Sequence, residues 1–542
     1  MYSRRSFLKT STALGALGLS KPIFAQQSRS QTSSGRFCVH PFIDEHPEAV
    51  FIMKTNVDRL SNHAATKEVG LRFARSVMMP ADKGGIPLTH MIPIKPNLTS
   101  SMWDNEGFTL EYGHGIVTDP FFVEGTIEAM KELGLSGSQF YIREVNGADC
   151  FGPRMYTDMC KRTGVDIRDL GADVREMPKE NIHWTDVPNP GIHEKIPHLW
   201  PINAPDTFYL NIGKFKCNMS GMTLSCKNHQ GSIASKYQRF CQGSLALEDY
   251  HYENLVPDVT KKMEALYKKH LDQRYPYWAN GYDFYGFKNT TEVWCNRTLD
   301  NVSSTKMGLA IVEAISGREG CFHRGPNPPR NNTKGVTEAR DFMTNFILFG
   351  KDPILVDLVG TWLGGHEPGN FGFFHIAMER GLSKVLDPSR VPVYVWEDGA
   401  AVRVPLSMLE RYPIRANYVP LKPDDSKKGN VYYLYNEPFD YSKVSQGELE
   451  KPGGPGSRVF DGVRPNPGNP CIAIEYTMPQ TDYACIDIID QNGDYIERIL
   501  NGYVRKGPGC AVWNIANRRS GNFKYRFQTR DYEETKDIVL KA

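Results

Sequence analysis

Residues 207–231, TFYLNIGKFKCNMSGMTLSCKNHQG, concentrate the side chains most able to do chemistry. An apolar, aromatic run (Phe208, Tyr209, Leu210, Ile212) reads as extended and delivers Lys214 and Lys216. A loop rich in Gly, Asn and Ser then carries Lys227, Asn228 and His229. Lysine ammonium groups are compact, strongly hydrated charges, so three in one loop either share a solvated face or surround a bound anion. Composition alone leaves both readings open. Further candidates follow other strand-like runs: Lys95 and Asn97 after Met91, Ile92 and Ile94, and Glu144 and Asn146 after Phe140, Tyr141 and Ile142. Asp352, just before Pro353, has the position of a helix cap. Asp357 lies five residues into an apolar helical pattern, where a carboxylate needs a partner, and a lysine of the central loop is the expected one. In the reading adopted, Lys95, Lys214, Lys216 and Lys227 hold an anionic small molecule, and Asn97, Asn228 and His229 orient it. Glu144 or Asp357 moves a proton, with Lys227 and His229 grouped beside them as catalytic candidates. Asn97 and Asn228 can equally satisfy turns.

These side chains need a scaffold that brings distant segments to one rim. Thr118, Asp119 and Pro120 give a cap followed by proline at the first helical position. Val123, Ile127 and Met130 recur at helical spacing, and Gly134 supplies a stop. Strand, helix, strand at this spacing predicts a βαβ unit and a parallel sheet. In such sheets ligands bind outside the carboxyl ends of the strands. Parallel strands would therefore set Lys95 with Asn97, Glu144 with Asn146, and Lys214 with Lys216 along one rim.

The lysine stretch, a K-x-K pair before T-x-x-x-K-N-x-x-G, resembles the signature of the large family called domain of unknown function 362. Other segments extend the resemblance in the right order: Ile94, Lys95, Pro96, Asn97 and Leu98; Thr118, Asp119 and Pro120; residues 310–315 before Gly317 and Gly320; and Asp352, Pro353 and Asp357. The likeness covers roughly residues 37–415 and implies an α/β domain without implying a settled activity. In that family a His often follows the second lysine by two positions. Here Asn218 stands there, which leaves that role open, with His229 nearby as a substitute.

At 542 residues, 40% hydrophobic and 23% charged, the chain reads as a soluble globular protein of more than one domain. Arg4, Arg5, Lys9 and Lys21 are the only charged residues of 1–25. Without them 60 basic face 62 acidic residues, a balance that gives no footprint for nucleic acid. Ser3, Arg4, Arg5, Ser6, Phe7, Leu8 and Lys9 open a short apolar run, and the whole looks like a twin-arginine export signal cleaved after Ala25. Its apolar run is too short for a stable membrane span. The expected address is therefore the periplasm or the cell surface, with the twin-arginine translocase as a partner. Eleven cysteines include no C-x-x-C, so no zinc ribbon or ferredoxin-type cluster is written in the spacing. Cys217, Cys226 and Cys241 with His229 could form an irregular iron–sulfur or metal site, against buried thiols. Two alternatives to the enzyme therefore stay open: a redox or metal-binding protein exported with its cofactor, and a non-catalytic cell-surface protein whose lysines hold a polyanion.

Residues 26–36 read as a disordered lead-in, 37–415 as the α/β domain, mostly parallel sheet flanked by helices, and 416–468 as linker. Residues 469–542 show short strands punctuated by turns, the pattern of a small β-sandwich. Pro465, Asn466 and Pro467, the turn from Asp490 to Gly493, and Gly509 with Trp513 resemble the Ig-like module of flagellar hook-capping proteins and of type IX secretion sorting domains. That resemblance implies an outer secretion partner or an accessory module. Ile474, Ile486, Ile488, Trp513 and Tyr525 are expected to fill its core, since alternation puts Ile486 and Ile488 on one face. Removing the chain after about residue 461 is expected to leave the α/β domain folded while changing where the protein resides. Fractionation and thermal unfolding of the truncated chain check both, and unfolding of the remaining domain would contradict separate cores.

Overall fold

The computed structural model describes residues 35–81, 84–98, 113–145, 148–172, 174–218, 221–235, 237, 253–273, 289–319, 340–397, 399–414, 438–449, 471–478, 482–504, 507–515, 518, 520–529 and 533–540. The expected export signal, most of the lead-in and of the linker, Asn146 and Cys241 lie outside the described residues.

A ten-stranded mixed sheet organises the described residues up to 414. Its strands are β2 (Val50–Lys54), β5 (Ile92–Pro96), β6 (Phe140–Ile142), β7 (Asp166–Ile167), β10 (Tyr209–Asn218), β11 (Gly221–Met222), β12 (Met307–Glu319), β13 (Arg340–Gly350), β14 (Val393–Glu397) and β15 (Ala400–Arg403). Their order is β15-β14-β2-β13-β12-β10-β5-β6-β7, with β11 folded back on β10. From β12 to β7 every neighbour is parallel, as the βαβ reading requires. β13 runs antiparallel between β12 and β2, so the sheet is mostly and not wholly parallel. Three outer strands, β1 (Arg36–Val39), β3 (Met78–Pro80) and β4 (Ile86–Pro87), form a small separate sheet, and β8 (Ile182–Asp186) pairs with β9 (Lys195–Leu199).

Alternate residues of the central strands feed two cores. Ile212, Ile311 and Phe349 pack with Phe73, Phe122 and Ile127 on one face, while Phe215, Val312 and Leu348 pack with Val356, Leu358 and Phe373 on the other. Strand alternation dictates this, because successive side chains leave opposite sides of the sheet. Among the described residues the α-helices in chain order are α1 (Pro41–Asp44), α2 (His63–Val77), α3 (Pro120–Lys131), α4 (Ala148–Phe151), α5 (Tyr156–Thr163), α6 (Ser225–His229), α7 (Val259–Asp272), α8 (Thr290–Ser304), α9 (Pro353–Leu363) and α10 (Gly372–Glu379). Helix α3 starts where the sequence places it, with Asp119 capping the Phe121 amide ahead of Pro120. Asp352 caps α9 by accepting from Ile354 and Leu355. None of the described helices is long and apolar enough to cross a membrane. Residues 438–449 fall inside the stretch read as linker, and Phe439, Tyr441, Val444 and Leu449 pack on the second core.

Six C-terminal strands form two antiparallel sheets: β16 (Cys471–Met478) with β19 (Gly507–Asn514), and β18 (Tyr495–Val504), β17 (Asp482–Asp490), β20 (Gly521–Thr529) and β21 (Glu533–Leu540) in that order. Ile474, Ile486, Ile488 and Trp513 are buried together between them, and Tyr525 packs at the margin of that core.

Helices α2 and α3 approach backbone to backbone through two glycines. A Cβ on Gly125 would lie 2.1 Å from the Lys67 carbonyl oxygen, and one on Gly70 would lie 2.2 Å from that of Phe122. Neither carbonyl can move without breaking its helix. Gly125→Ala is expected to destabilise the protein by about 1–3 kcal/mol despite the better helix propensity of alanine. Urea denaturation checks this, and a neutral or stabilising result would refute the close packing.

Candidate functional site

The parallel register decides where each candidate lysine points. Lys95 pairs with Asn211, and Lys214 pairs with Glu313. Cross-strand partners share a face, and Asn211 and Lys214 lie an odd number of residues apart on β10. Lys95 therefore leaves the sheet on the side covered by α6, whereas Lys214 and Lys216 leave on the side of α3. The expected single cleft of four ammonium groups is divided into two clusters at the same carboxyl rim.

On the α6 side the polar groups satisfy one another. The Asn228 side-chain oxygen accepts from Lys95 Nζ at 3.1 Å and from Asn97 Nδ2 at 3.0 Å. Its nitrogen donates to the Lys95 carbonyl at 3.0 Å and to Asn211 Oδ1 at 2.7 Å. That uses all four hydrogen-bonding positions of the amide. Lys95, fully buried, also donates to Glu144 Oε2 at 2.5 Å and to the Pro96 carbonyl at 2.7 Å. Burial lowers the Lys95 ammonium from its ordinary value although the Glu144 carboxylate opposes it. The packing is tight enough that a Cβ on Gly231 would lie 2.3 Å from Glu144 Oε1.

His229 is locked in the same layer. Thr305 spends its hydroxyl proton on the Asn301 carbonyl at 2.7 Å, so at 2.7 Å His229 Nε2 donates to Thr305 Oγ1. Nδ1 is then the acceptor, receiving the Tyr209 hydroxyl at 2.8 Å. Burial, helped by His198 and Lys95, holds the imidazole well below its ordinary value, so it is neutral with a fixed tautomer.

Asp357 finds a partner other than a lysine. Helix α6 has Leu224 at its N-cap and no side-chain cap of its own. From α9, Asp357 accepts from the Ser225 amide at 2.6 Å and the Cys226 amide at 2.9 Å. A carboxylate at a helix start meets orphan N–H groups, which is why the expected ammonium is not required. Burial pushes its carboxyl up to about 7 despite those two bonds, with Asp352 adding in the same direction.

The α3 side is built differently. Lys214, wholly buried, donates to Glu313 Oε2 at 2.6 Å and Ser316 Oγ at 2.9 Å. That Glu313 oxygen also receives the Asp119 amide at the start of α3. Two residues on, β12 bulges: Lys214 pairs with Glu313 but Lys216 pairs with Arg318. Lys216 Nζ donates to the Ile116 carbonyl, and Arg154 Nη1 donates to the Gly113 carbonyl at 3.2 Å. Arg318 holds Asp341 at 2.8 Å. Residues 113–116 thus lie across three buried cations, and their glycines permit it: a Cβ on Gly113 would lie 2.7 Å from Arg154 Nη1, and one on Gly115 would lie 2.7 Å from Arg318 Cβ. Burial lowers Arg154 to about 10, and burial with the charges of Lys227, Arg318 and Arg154 holds Lys216 well below its ordinary value. Lys227, half-buried on α6, is close enough to belong to this cluster.

Arg154, Arg318 and the Gly113, His114, Gly115 segment were not singled out from the sequence. A glycine pair flanking a histidine just before the Thr118 to Pro120 cap was the available signal. Cys217 and Cys226 are buried thiols, and burial raises the Cys226 thiol well above its ordinary value. Among the described residues no group of three His, Cys, Asp or Glu side chains is arranged to hold a metal ion. A cavity of about 470 Å³ lined by His40, Arg75, Met79 and Glu132 lies away from these clusters and lacks their converging charges.

Residues 92–362 match the family described as Domain of unknown function (DUF362), and the match begins and ends on the elements just described, β5 and α9. No curated protein matches the chain.

Asp357 makes a measurable prediction. Its folded value, about 7, exceeds the ordinary 3.8, so between those values the native state binds more protons than the unfolded chain. Its contribution therefore makes stability fall as pH rises from about 4 to 7, by about 1.4 kcal/mol per pH step, and level off above. Asp357→Asn, which cannot ionise, is expected to flatten that slope in urea titrations, and an unchanged slope would show that another group carries it.

Proposed function

We propose that this chain, which belongs to the DUF362 family, is an exported enzyme that binds an anionic small molecule at the α3-side cation cluster. The observation that carries the reading is the convergence of Lys216, Arg154 and Arg318 on residues 113–116, with Lys227 near enough to depress Lys216. Asp341 holds Arg318 at 2.8 Å, and an anion bound beside it would accept charge-assisted hydrogen bonds from the other cations of the cluster. The rim position supports the reading, since ligands of open α/β sheets sit outside the carboxyl ends of strands. On this view Lys95, Asn97, Asn228 and His229 hold the rim in shape, and contact with the anion falls to Lys216, Lys227, Arg154 and Arg318. The twin-arginine motif of Arg4 and Arg5 supports delivery to the periplasm or cell surface. The C-terminal sandwich is then an accessory or sorting module.

Calorimetry at low ionic strength with sulfate and with oxalate tests the site. Both anions are expected to bind the wild-type chain, and Lys227→Ala, at a half-buried position, to weaken binding roughly tenfold, about 1.4 kcal/mol. Binding left intact in both Lys227→Ala and Lys216→Met would place any anion site elsewhere.

A further inference from the structure

Residues 438–449 lie in a stretch whose composition reads as linker, yet they are bound along their length. Phe439 lies so close to Gly369 that a Cβ there would be 2.1 Å from the Phe439 ring. The Tyr441 hydroxyl donates to Glu367 Oε2 at 3.2 Å and accepts from the Gly369 amide at 3.2 Å. Burial, with Glu367 adding to it, pushes that hydroxyl up, so it stays protonated and donates. Gln446 Oε1 accepts from the Leu386 and Asp387 amides, both at 2.7 Å, and its Nε2 donates to the Tyr441 carbonyl at 3.3 Å. The Gly447 amide donates to the Lys384 carbonyl at 2.8 Å. The segment therefore spans α10 from the turn before it to the loop after it.

The turn that Tyr441 holds leads to the lysine strand. Glu367 also pairs with Arg411 at 3.3 Å, and the 3₁₀ turn Pro368–Asn370 delivers Phe371. A Cβ on Gly221 would lie 2.3 Å from Phe371 Cε1, and one on Gly364 would lie 2.5 Å from Met222 Sδ. Gly221 and Met222 form β11, which folds back on the end of β10, and the Thr223 amide closes that hairpin on the Lys216 carbonyl at 2.7 Å. Two aromatic rings seated on two glycines leave no slack between Tyr441 and the hairpin. Close-packed groups pass a displacement on rather than absorb it.

From this chain of contacts we infer that residues 438–449 are a strap that clamps the hairpin carrying Lys216, with Tyr441 and Gln446 as its positioning residues, and that anion binding and strap docking favour each other. The clamp stands on the contacts alone, whereas its coupling to a ligand rests on the anion-site reading. Such coupling is reciprocal: whatever the docked strap adds to anion affinity, a bound anion adds to docking.

Hydrogen exchange read by mass spectrometry on the full chain tests the strap, with Tyr441→Phe and Gln446→Ala loosening it from opposite ends of α10. Each variant is expected to speed exchange roughly tenfold in residues 438–449, in residues 366–371 and in the hairpin from Lys216 to Thr223, while α2 and α3 stay protected. Saturating sulfate is expected to slow exchange of the strap in the wild-type chain, and each variant to weaken sulfate binding in calorimetry roughly threefold. Faster exchange confined to residues 438–449 overturns the clamp, and so does a rise spread evenly over α2 and α3. Sulfate that binds the wild-type chain without slowing the strap overturns the coupling. A wild-type chain that binds no sulfate removes the anion-site reading and the coupling with it, while exchange in the two variants still decides the clamp.

Discussion

The amide of Asn228 is the interaction on which this rim depends. Its four hydrogen bonds tie α6 to β5 and β10, and through Lys95 to Glu144 beyond β6. An unpaired amide buried at this depth would cost about 1–3 kcal/mol, so the four partners must form together or not at all. Asn211 extends the lock by donating to the Ser225 carbonyl and hydroxyl, and Asp357 completes it by capping the same helix. A five-residue helix has no stability of its own. It persists because two strands and α9 supply what its ends lack.

With α6 held, Lys227 is carried to the edge of the opposite cluster. The two faces then divide the labour by electrostatics. On the α6 face Lys95 meets the Glu144 carboxylate and the saturated amide of Asn228. On the α3 face Lys214 and Glu313 form one closed pair, while Lys216, Arg154 and Arg318 gather round a glycine-bounded loop. Buried ion pairs contribute little net stability, and Arg318 with Asp341 forms a second one on this face. Lys216 lies where the bulge changes its cross-strand neighbour from the carboxylate of Glu313 to the guanidinium of Arg318.

Much of this was legible in the residues. Capping chemistry located α3 and α9, because an aspartate before proline satisfies the first amides wherever it occurs. Period-two alternation placed Ile486 and Ile488 in one core and marked five of the six C-terminal strands. Strand β18, Tyr495–Val504, was not marked, since few of its residues are buried and charged Glu497 and Arg498 interrupt its apolar positions. Strands β2, β13 and β14 were also not picked out, so the antiparallel insertion in the sheet was unforeseen. A short apolar run does not reveal its direction.

The chain by itself determined which segments are extended or helical, that three lysine- and carboxylate-bearing loops share one rim, and that Asp352 is a cap. Those are local properties, written in periodicity and in the backbone preferences of proline, glycine and aspartate. Which lysine faces which face required the register of β5 against β10, set by contacts more than a hundred residues apart in sequence. Only the tertiary structure brought Arg154 and Arg318 to Lys216 and gave Asp357 two amides in place of an ammonium. The reason is physical: a side chain's charge state and partners depend on what surrounds it in space, and neither burial nor a β-bulge on a neighbouring strand leaves a mark at the residue it acts upon.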